Sequence, residues 1–497
     1  MNRRCIYADF YYFCKERRNL LYMRQWTRLI IDVDYHPCDP GNSTWYCERT
    51  AFSKSDLCAG KVLSYEDPGG LFGGIRVDSV SEDGLVLSYG TKLYSINMKH
   101  PHLPLDKGGR DYTEFELNLF LESAIVVEDT PAFYRQFYTR DQVARLRGSD
   151  IRALEASDAP AARFALGRWH YLLMPEEDSC AQAEKLFREA AEAGVADAFS
   201  ALSMMYVYGD TREDRLDLDE MVRWRDEALA RGSELAAYRY ARNRIGGDLL
   251  APKEPDVVRD EVEKRLATET DVWPEWYAVL GDAYAALDKP EKAREVYLAG
   301  VEHGSLRCYP ELAMMARERE DDKEYRSWME KGMAAGCGWC FILDGDLDEE
   351  RFQAGDSRFK NLVSRQFQER FEQGLRRGEG LCAYYLGFHS FTGTLGFTID
   401  EEDAFRYLRK GVALGDCYSC SLLADILEDR AETPAAKKEV ARLRLKAVRY
   451  GKDDDREQLA QDYRDGLLDE YRDEIEEYWL PDDDDVDEDD GRWDAYA

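Results

Sequence analysis

No stretch of this chain approaches about 18 consecutive apolar residues, so no membrane-spanning helix is expected. Histidine is scarce, 6 in 497 residues. The patterns GxxxxGK[ST], GxSxG and HExxH are missing, which removes the usual footholds for phosphate loops, serine hydrolases and zinc proteases. Positive charge is in short supply. The 67 Lys+Arg against 100 Asp+Glu leave a net charge of −33. A surface of that sign repels nucleic-acid phosphates, so neither nucleic acid nor membrane is expected as a partner. No cofactor, no metal and no catalytic residue is assigned. The start, "MNRRCIYADFYYFCKERR", has the basic tip of a signal peptide, but Asp9 breaks its apolar part and Lys15, Arg17 and Arg18 follow without a small-residue cleavage site. It reads as the mature N-terminus of a cytoplasmic protein.

What is present is a soluble, globular composition, 44% hydrophobic and 34% charged, in a chain too long for one ordinary core. The acidity is uneven. Up to Glu122 there are 15 Lys+Arg against 17 Asp+Glu, a balance of −2, so −31 lies beyond it. Eight of those charges form "DDDDVDEDD", Asp482 to Asp490, a self-repelling run expected to stay solvated as an acidic disordered tail over 481–497.

Between 160 and 480 a repeat emerges. "GVADAFSALSMMYVYGD", Gly194 to Asp210, returns in looser form as "GEGLCAYYLGFHSFTG", Gly378 to Gly393. With the opening glycine as zero, the plus-eight column falls at 166, 202, 240, 280, 312, 344, 386, 423 and 459, and seven of the nine are Leu. The spacing runs from 32 to 42, the mark of stacked helix pairs. Plus four and plus nine hold small residues such as Ala162 and Gly167, or Ala198 and Ser203, which let a neighbouring helix approach closely. The second helix of each pair is amphipathic, as in "AEKLFREAAEAG" and "AFRYLRKGVALG". Gly194, Gly232, Gly304, Gly336, Gly378, Gly415 and Gly451 close the second helices as left-handed caps.

This pattern resembles the Sel-one-like repeat (SLR), a relative of the tetratricopeptide repeat. The match lies in its A-x-x-x-L-G-x-x-Y-x-x-G first helix and K-A-x-x-x-x-x-A-A-x-x-G second helix, best kept in "AFSALSMMYVYG", "LGDAYAALDKPEKAREVYLAGVEHG" and "LAQDYRDG". Copies near 240–270 and 344–375 are degenerate. The resemblance implies an α/α superhelical solenoid of about nine helix pairs that works as a protein-interaction scaffold. It also implies a groove lined by the residues two before, and two and five after, the framework Leu. Around Leu386 these are Tyr384, Phe388 and Phe391; Arg168, Arg242 and Arg317 fall at corresponding places, interrupted by Asp282, and late copies offer Asp425, Glu428 and Glu457.

The 12 cysteines include two C-x-x-C pairs, Cys337/Cys340 and Cys417/Cys420, the spacing of zinc half-sites. In the repeat frame Cys308, Cys340 and Cys382 occupy plus four, where other copies have Ala, and the two pairs lie two repeats apart. Structural thiols are the better account. A secreted branch of the resembled family, associated with penicillin hydrolysis, staples each repeat with regularly spaced cysteines. The copies around 198, 236 and 280 have none, so reduced cytoplasmic thiols are expected.

Residues 1–128 differ. "TRLIIDVDY", "GGIRVDSVS", "GLVLSYG", "KLYSIN" and "YTEFELNLFLE" alternate with period two between "DPGN", "DPGG", "SEDG" and "DKGG" turns, which predicts a small antiparallel β domain, barrel or sandwich. His36, Cys38, Cys47 and Cys58 match no familiar zinc spacing, and His100, His102 and Asp106 read as a solvated loop. "NST" at Asn42 reads as a turn. Residues 129–159, beginning "DTPAFYRQFYTRDQVARLRG", form a helical connector. The fold class is thus a multi-domain α+β chain, and the function a non-enzymatic scaffold binding a protein or peptide in the solenoid groove. One alternative is an inhibitor or immunity-type protein whose acidic surface caps a basic target. The other is a hydrolase of the cysteine-rich branch.

Overall fold

The computed structural model describes residues 24–37, 46–66, 72–110, 113–174, 178–342, 352–353, 355 and 357–480. The chain falls into two units. One comprises Met1–Glu128 with Leu146–Asp158, and the other Asp129–Arg145 with Ala159–Ala497. The predicted connector therefore divides, its first half belonging to the helical unit and its second to the β unit. The N-terminal "MNRRC" segment, Asn42 and the acidic tail lie outside the described residues.

The β unit contains β1 (Arg24–Pro37), β2 (Tyr46–Ser53), β3 (Val62–Glu66), β4 (Phe72–Ser81), β5 (Gly84–Tyr89), β6 (Lys92–Asn97), β7 (His102–Arg110) and β8 (Thr113–Ile125). They form two four-stranded antiparallel sheets, ordered β2-β1-β8-β7 and β3-β4-β5-β6. Alternation decides which side chains go inside. Leu29, Ile31 and Val33 of β1, Leu117, Leu119 and Leu121 of β8, Ile75 and Val77 of β4, and Leu85 and Leu87 of β5 share one core with Trp26. The unit is therefore a sandwich.

Strands β2, β3 and β7 are not legible as strands in the sequence, and "DKGG" is no turn. Asp106, Gly108 and Gly109 pair with Leu117, Phe115 and Glu114. The long ladder of β8 holds this glycine-rich segment extended, a tertiary override of weak strand propensity. His102 accordingly begins a strand, stacks on Phe120 at 4.6 Å and shares a 2.9 Å hydrogen bond with Asn118. Cys38 and the side chains of His36, Cys47 and Asp106 lie outside the described residues.

In the helical unit α1 (Pro131–Tyr134) and α2 (Arg140–Val143) belong to the connector, while α3 (Gly148–Glu155) sits in the β unit. The array then runs α4 (Pro160–Leu173) and α5 (Ser179–Glu192), α6 (Ala196–Tyr208) and α7 (Leu218–Ala230), α8 (Glu234–Gly246) and α9 (Pro255–Thr268). It continues with α10 (Trp276–Ala286) and α11 (Pro290–His303), α12 (Cys308–Glu318) and α13 (Asp322–Ala335). The sixth pair has a 3-10 turn, Trp339–Phe341, before α14 (Ser357–Arg376); its framework position Asp344 lies outside the described residues. Then follow α15 (Gly380–Thr392) and α16 (Glu401–Ala413), α17 (Cys417–Glu428) and α18 (Pro434–Arg449), and α19 (Arg456–Arg464) with the short turns up to Trp479.

The small residues set the helix spacing, as their period predicts. At plus nine, a Cβ added to Gly167 would meet the ring of Phe187 at 2.5 Å, and one on Gly281 the ring of Tyr297 at 2.1 Å. The two helices of a pair therefore touch backbone to ring. At plus four the close approach is between pairs. A Cβ on Gly300, Gly332 or Gly374 would lie 2.5, 2.2 and 2.4 Å from the sulfurs of Cys308, Cys340 and Cys382. Each such cysteine fills the notch left by a glycine on the preceding second helix. The seven cap glycines have φ between +75° and +100°, a region costly for other residues.

The array also meets its own end. Leu216, in the loop between α6 and α7, packs with Ala441, Leu445, Leu459 and Trp479. Arg449 on α18 is clamped by Glu474 at 2.8 and 2.7 Å and reaches Asp214 in that loop at 2.8 Å. Tyr450 donates to Asp210 at 2.6 Å. No helix among the described residues is long and apolar enough to cross a membrane.

Candidate functional site

The connector half Asp129–Arg145 lies along the turns of the array and is held by side chains from many pairs. Thr130 caps α1, accepting from the Phe133 N–H, and Pro131 occupies its first turn, so the segment enters as a short helix. Phe133 and Phe137 are fully buried, and Tyr134 meets Phe164 of α4 edge-on at 5.5 Å. Arg135 grips Glu234 with two N–H groups, at 2.7 and 3.4 Å, and Asp271 at 2.9 Å. The Tyr138 hydroxyl donates to Asp197 at 2.6 Å, and its ring stands against Trp273 at 5.0 Å. Farther along, Arg140 reaches Glu379 at 3.7 Å and the Leu414 carbonyl at 3.3 Å. Asp141 accepts the Gly338 N–H at 2.8 Å, and Arg145 donates to the Ala335 carbonyl at 3.4 Å.

Buried acids also tie the repeats together, among them the Asp197 that holds Tyr138. Asp197 accepts from Ser233 at 2.6 Å and from the Leu235 N–H at 3.3 Å. Glu275 does the same two pairs farther along, taking Ser305 at 2.6 Å and the Leu306 N–H at 2.9 Å. Both stand at plus three of the repeat frame, a column the sequence reading did not single out. Burial raises the pKa of Asp197 above the usual carboxylate range. In the connector, burial pushes Asp141 up to about 7, with the neighbouring Glu379 charge adding to the effect. Asp416, which caps α17 by accepting from Ser419, is pushed up to about 6 by burial.

The predicted groove residues separate into three groups. Arg168 is 1% exposed and donates to the carbonyls of Phe137 at 2.8 Å and Tyr138 at 2.7 Å, so its partner is the chain's own connector. Arg242 is half-buried on α8, 5.9 Å from the ring of Tyr238, while Arg317 is exposed on α12, its guanidinium 5.8 Å from the ring of Tyr325. Tyr384, Phe388 and Phe391 are half-buried on α15. Tyr384 stacks on Phe388 at 6.0 Å and meets the exposed Tyr418 at 5.6 Å, while Tyr384 and Phe391 also lean on the core around Leu408 and Leu423. Asp282 is engaged by Tyr297 at 2.8 Å and Arg307 at 3.2 Å. Asp425, Glu428 and Glu457 are exposed, with Glu428 accepting from Arg444 at 2.6 Å.

The eight cysteines whose side chains are described are free thiols. Among the described residues no three of His, Cys, Asp and Glu are placed to hold a metal ion.

An array of antiparallel helix pairs with glycine caps and small-residue contact columns defines a helical repeat protein. Its neighbours among solved structures are Sel1-type repeat proteins. A protective antigen of uropathogenic Escherichia coli strains, displaying an SLR fold, is 16% identical, covers 71% of this chain and 79% of its own, and superposes with a TM-score of 0.35. A Sel1 repeat protein from Oxalobacter formigenes is 17% identical over 65% of this chain and 93% of its own, with a TM-score of 0.34. No protein-family model and no curated protein matches the sequence.

Proposed function

We propose that the helical unit is a protein-interaction scaffold. The observation that carries this reading is the seating of the 17-residue stretch Asp129–Arg145 along the turns of the array. The array already recognises a chain segment, through acids on arginine and tyrosine, an arginine on carbonyls, and aromatic edges. A partner segment would use the same chemistry on surface the connector leaves open.

The aromatic strip Tyr384, Phe388 and Phe391 is the proposed anchor, with Tyr418 beside it. Half-exposed aromatics that already pack on one side lose little entropy when a partner covers the other, which is why such residues dominate interface energetics. The exposed acids Asp425 and Glu457 favour a partner carrying Lys or Arg nearby. Arg317 would meet an acidic position of the same partner. Arg168 contributes indirectly, by fixing the connector. In this reading the protein performs no catalysis and works in the cytoplasm.

The test is differential capture from native lysate by wild type and by the variant carrying Tyr384→Ala and Phe388→Ala, read by mass spectrometry. A partner retained by wild type and lost by a variant of unchanged melting temperature supports the site. Identical captured sets remove it.

A further inference from the structure

The connector segment carries one short pattern twice. Phe133-Tyr134 returns four residues on as Phe137-Tyr138, with Arg135 between the two pairs and Arg140-Asp141 after them. The rings of Phe133 and Phe137 lie 5.0 Å apart and are fully buried, while Tyr134 and Tyr138 turn to Phe164 and Trp273. The segment's main-chain bonds to main-chain groups close within it. Phe133 and Tyr134 donate to Thr130, Val143 to Thr139, Ala144 to Arg140 and Arg145 to Gln142. Thr130 and Thr139 cap its two turns, Thr139 through a capping box with Gln142. The array therefore holds it through side chains, the way a groove holds a peptide.

One carboxylate pins the chain on both sides of the segment. Asp150, fully buried in the β unit, accepts the Ile125 N–H at 2.9 Å and the Arg147 N–H at 2.8 Å, and pairs with Arg24. Ile125 and Arg147 therefore stand side by side, and the residues between them leave and return as one loop with a closed base. The track that receives this loop keeps its own partners. Asp197 retains Ser233 at 2.6 Å and the Leu235 N–H at 3.3 Å, and Glu234 retains the Trp276 indole at 3.2 Å and Arg265 at 3.7 Å. These acids are held in place independently of Tyr138 and Arg135, as a preformed site requires.

The resident does not saturate the track. Arg168 is 1% exposed, yet its Nη1 has no hydrogen-bond partner among the described residues, and neither has the buried Nε of Arg140. A buried donor left unpaired is unfavourable, so a segment bringing an acceptor opposite Arg168 fits better than the connector does. The places filled by Phe133 and Phe137 cannot stand empty without exposing apolar surface. Any segment that replaces the connector must therefore bring two aromatics at the same spacing.

We propose that Asp129–Arg145 is a resident ligand, exchangeable for a segment of a partner protein that docks on the same track. That segment carries two aromatic pairs four residues apart, an Arg between them for Glu234, a Tyr hydroxyl for Asp197 and a further acceptor for Arg168. The connector fills the site until the partner displaces it. This deepens the scaffold reading, on which it rests for the claim that the array takes up chain segments. It uses a different surface from the strip of Tyr384, Phe388 and Phe391.

The test is fluorescence anisotropy of a labelled peptide of residues 129–145 titrated with the full chain. The chain is either wild type or carries Arg135→Ala with Tyr138→Ala, which weakens the resident and leaves the track intact. A tethered resident competes at an effective concentration on the order of millimolar, so the variant is expected to bind the peptide about tenfold or more tightly than wild type. A peptide carrying the same two substitutions should bind the variant about tenfold or more weakly than the native peptide. Equal binding of the native peptide by wild type and folded variant overturns the proposal, as does equal binding of native and substituted peptides. A concentration-dependent dimer in light scattering that the peptide does not dissociate assigns the track to a second copy of the chain, which also overturns it. If the double variant does not fold, Tyr138→Phe, which loses only the hydroxyl on Asp197, replaces it with a gain in the same direction. The α15 strip is unaltered throughout, so failure of peptide exchange here and failure of capture there are read separately.

Discussion

Replacing Arg449 with Met isolates the seam where the array meets its own end. Methionine keeps most of the buried stem, so the change is chiefly the loss of the guanidinium. Arg449 and Glu474 are each 1% exposed. Without Arg449, Glu474 retains only the Leu216 N–H at 3.3 Å and the Trp479 indole at 3.2 Å. A carboxylate stranded in this way costs about 3–5 kcal/mol. Adding Glu474→Gln removes the charge and keeps an acceptor for both donors, so the double variant should recover most of that loss. A single global unfolding energy is ill-defined for a two-unit repeat protein. Hydrogen exchange of the loop around Leu216 and of α18 is therefore the right assay. The single variant should lose about 3–5 kcal/mol of local protection there and the double variant much less. A single variant within about 1 kcal/mol of wild type, or a double variant as damaged as the single, would refute the argument that this seam is a buried, charge-balanced contact.

The glycine–cysteine notch makes a second prediction: Gly332→Ala drives a Cβ to 2.2 Å from the Cys340 sulfur and should destabilise by about 1–3 kcal/mol, whereas the same change beside Cys340→Ala should be far milder in thermal melts. A third concerns pH. Asp416 and Asp141 have folded pKa values near 6 and 7, above those of an unfolded Asp. Their stabilising contribution is therefore full below about pH 4 and lost as pH rises through 6 to 7. His389, lowered to about 4 by burial, opposes them, its contribution being present above pH 6.5 and lost as pH falls through 4. Asp141→Asn should flatten the pH 4–7 stability slope while keeping the Gly338 contact, and an unchanged slope would remove Asp141 from the account. Finally, all 12 cysteines should titrate as free thiols in denaturant without reductant, and elemental analysis should find no stoichiometric zinc; one zinc lost on Cys337→Ala would restore the metal reading.

The repeat was legible because it is written in a local code. Leu202, Leu312, Leu386, Leu423 and Leu459 of the framework column are all buried, and Cys308, Cys340 and Cys382 stand where a small residue is needed. The sandwich core was legible for the same reason, since Leu29, Ile31 and Val33 alternate with polar neighbours. Contacts between distant parts of the chain carry no such period. Leu216 sits in a loop of acids and arginines, and nothing local marks it as a core residue of α18 and the C-terminal turns. Neither does the connector announce that Tyr138 will meet Asp197 and Asp141 will meet Gly338. Arg168 and Arg242 were singled out because both follow the framework residue by two. Arg239 precedes it by one and escaped that rule, although it donates to the Ser200 carbonyl of the preceding pair at 3.1 Å.

The central claim is that this helical array binds a partner segment through the aromatic strip of α15. The most direct measurement is the dissociation constant of a captured partner's segment for wild type and for Tyr384→Ala with Phe388→Ala, each shown folded by circular dichroism and melting temperature. The account predicts a loss of about 2 kcal/mol, roughly thirtyfold in affinity. An unchanged dissociation constant in a folded variant would contradict it.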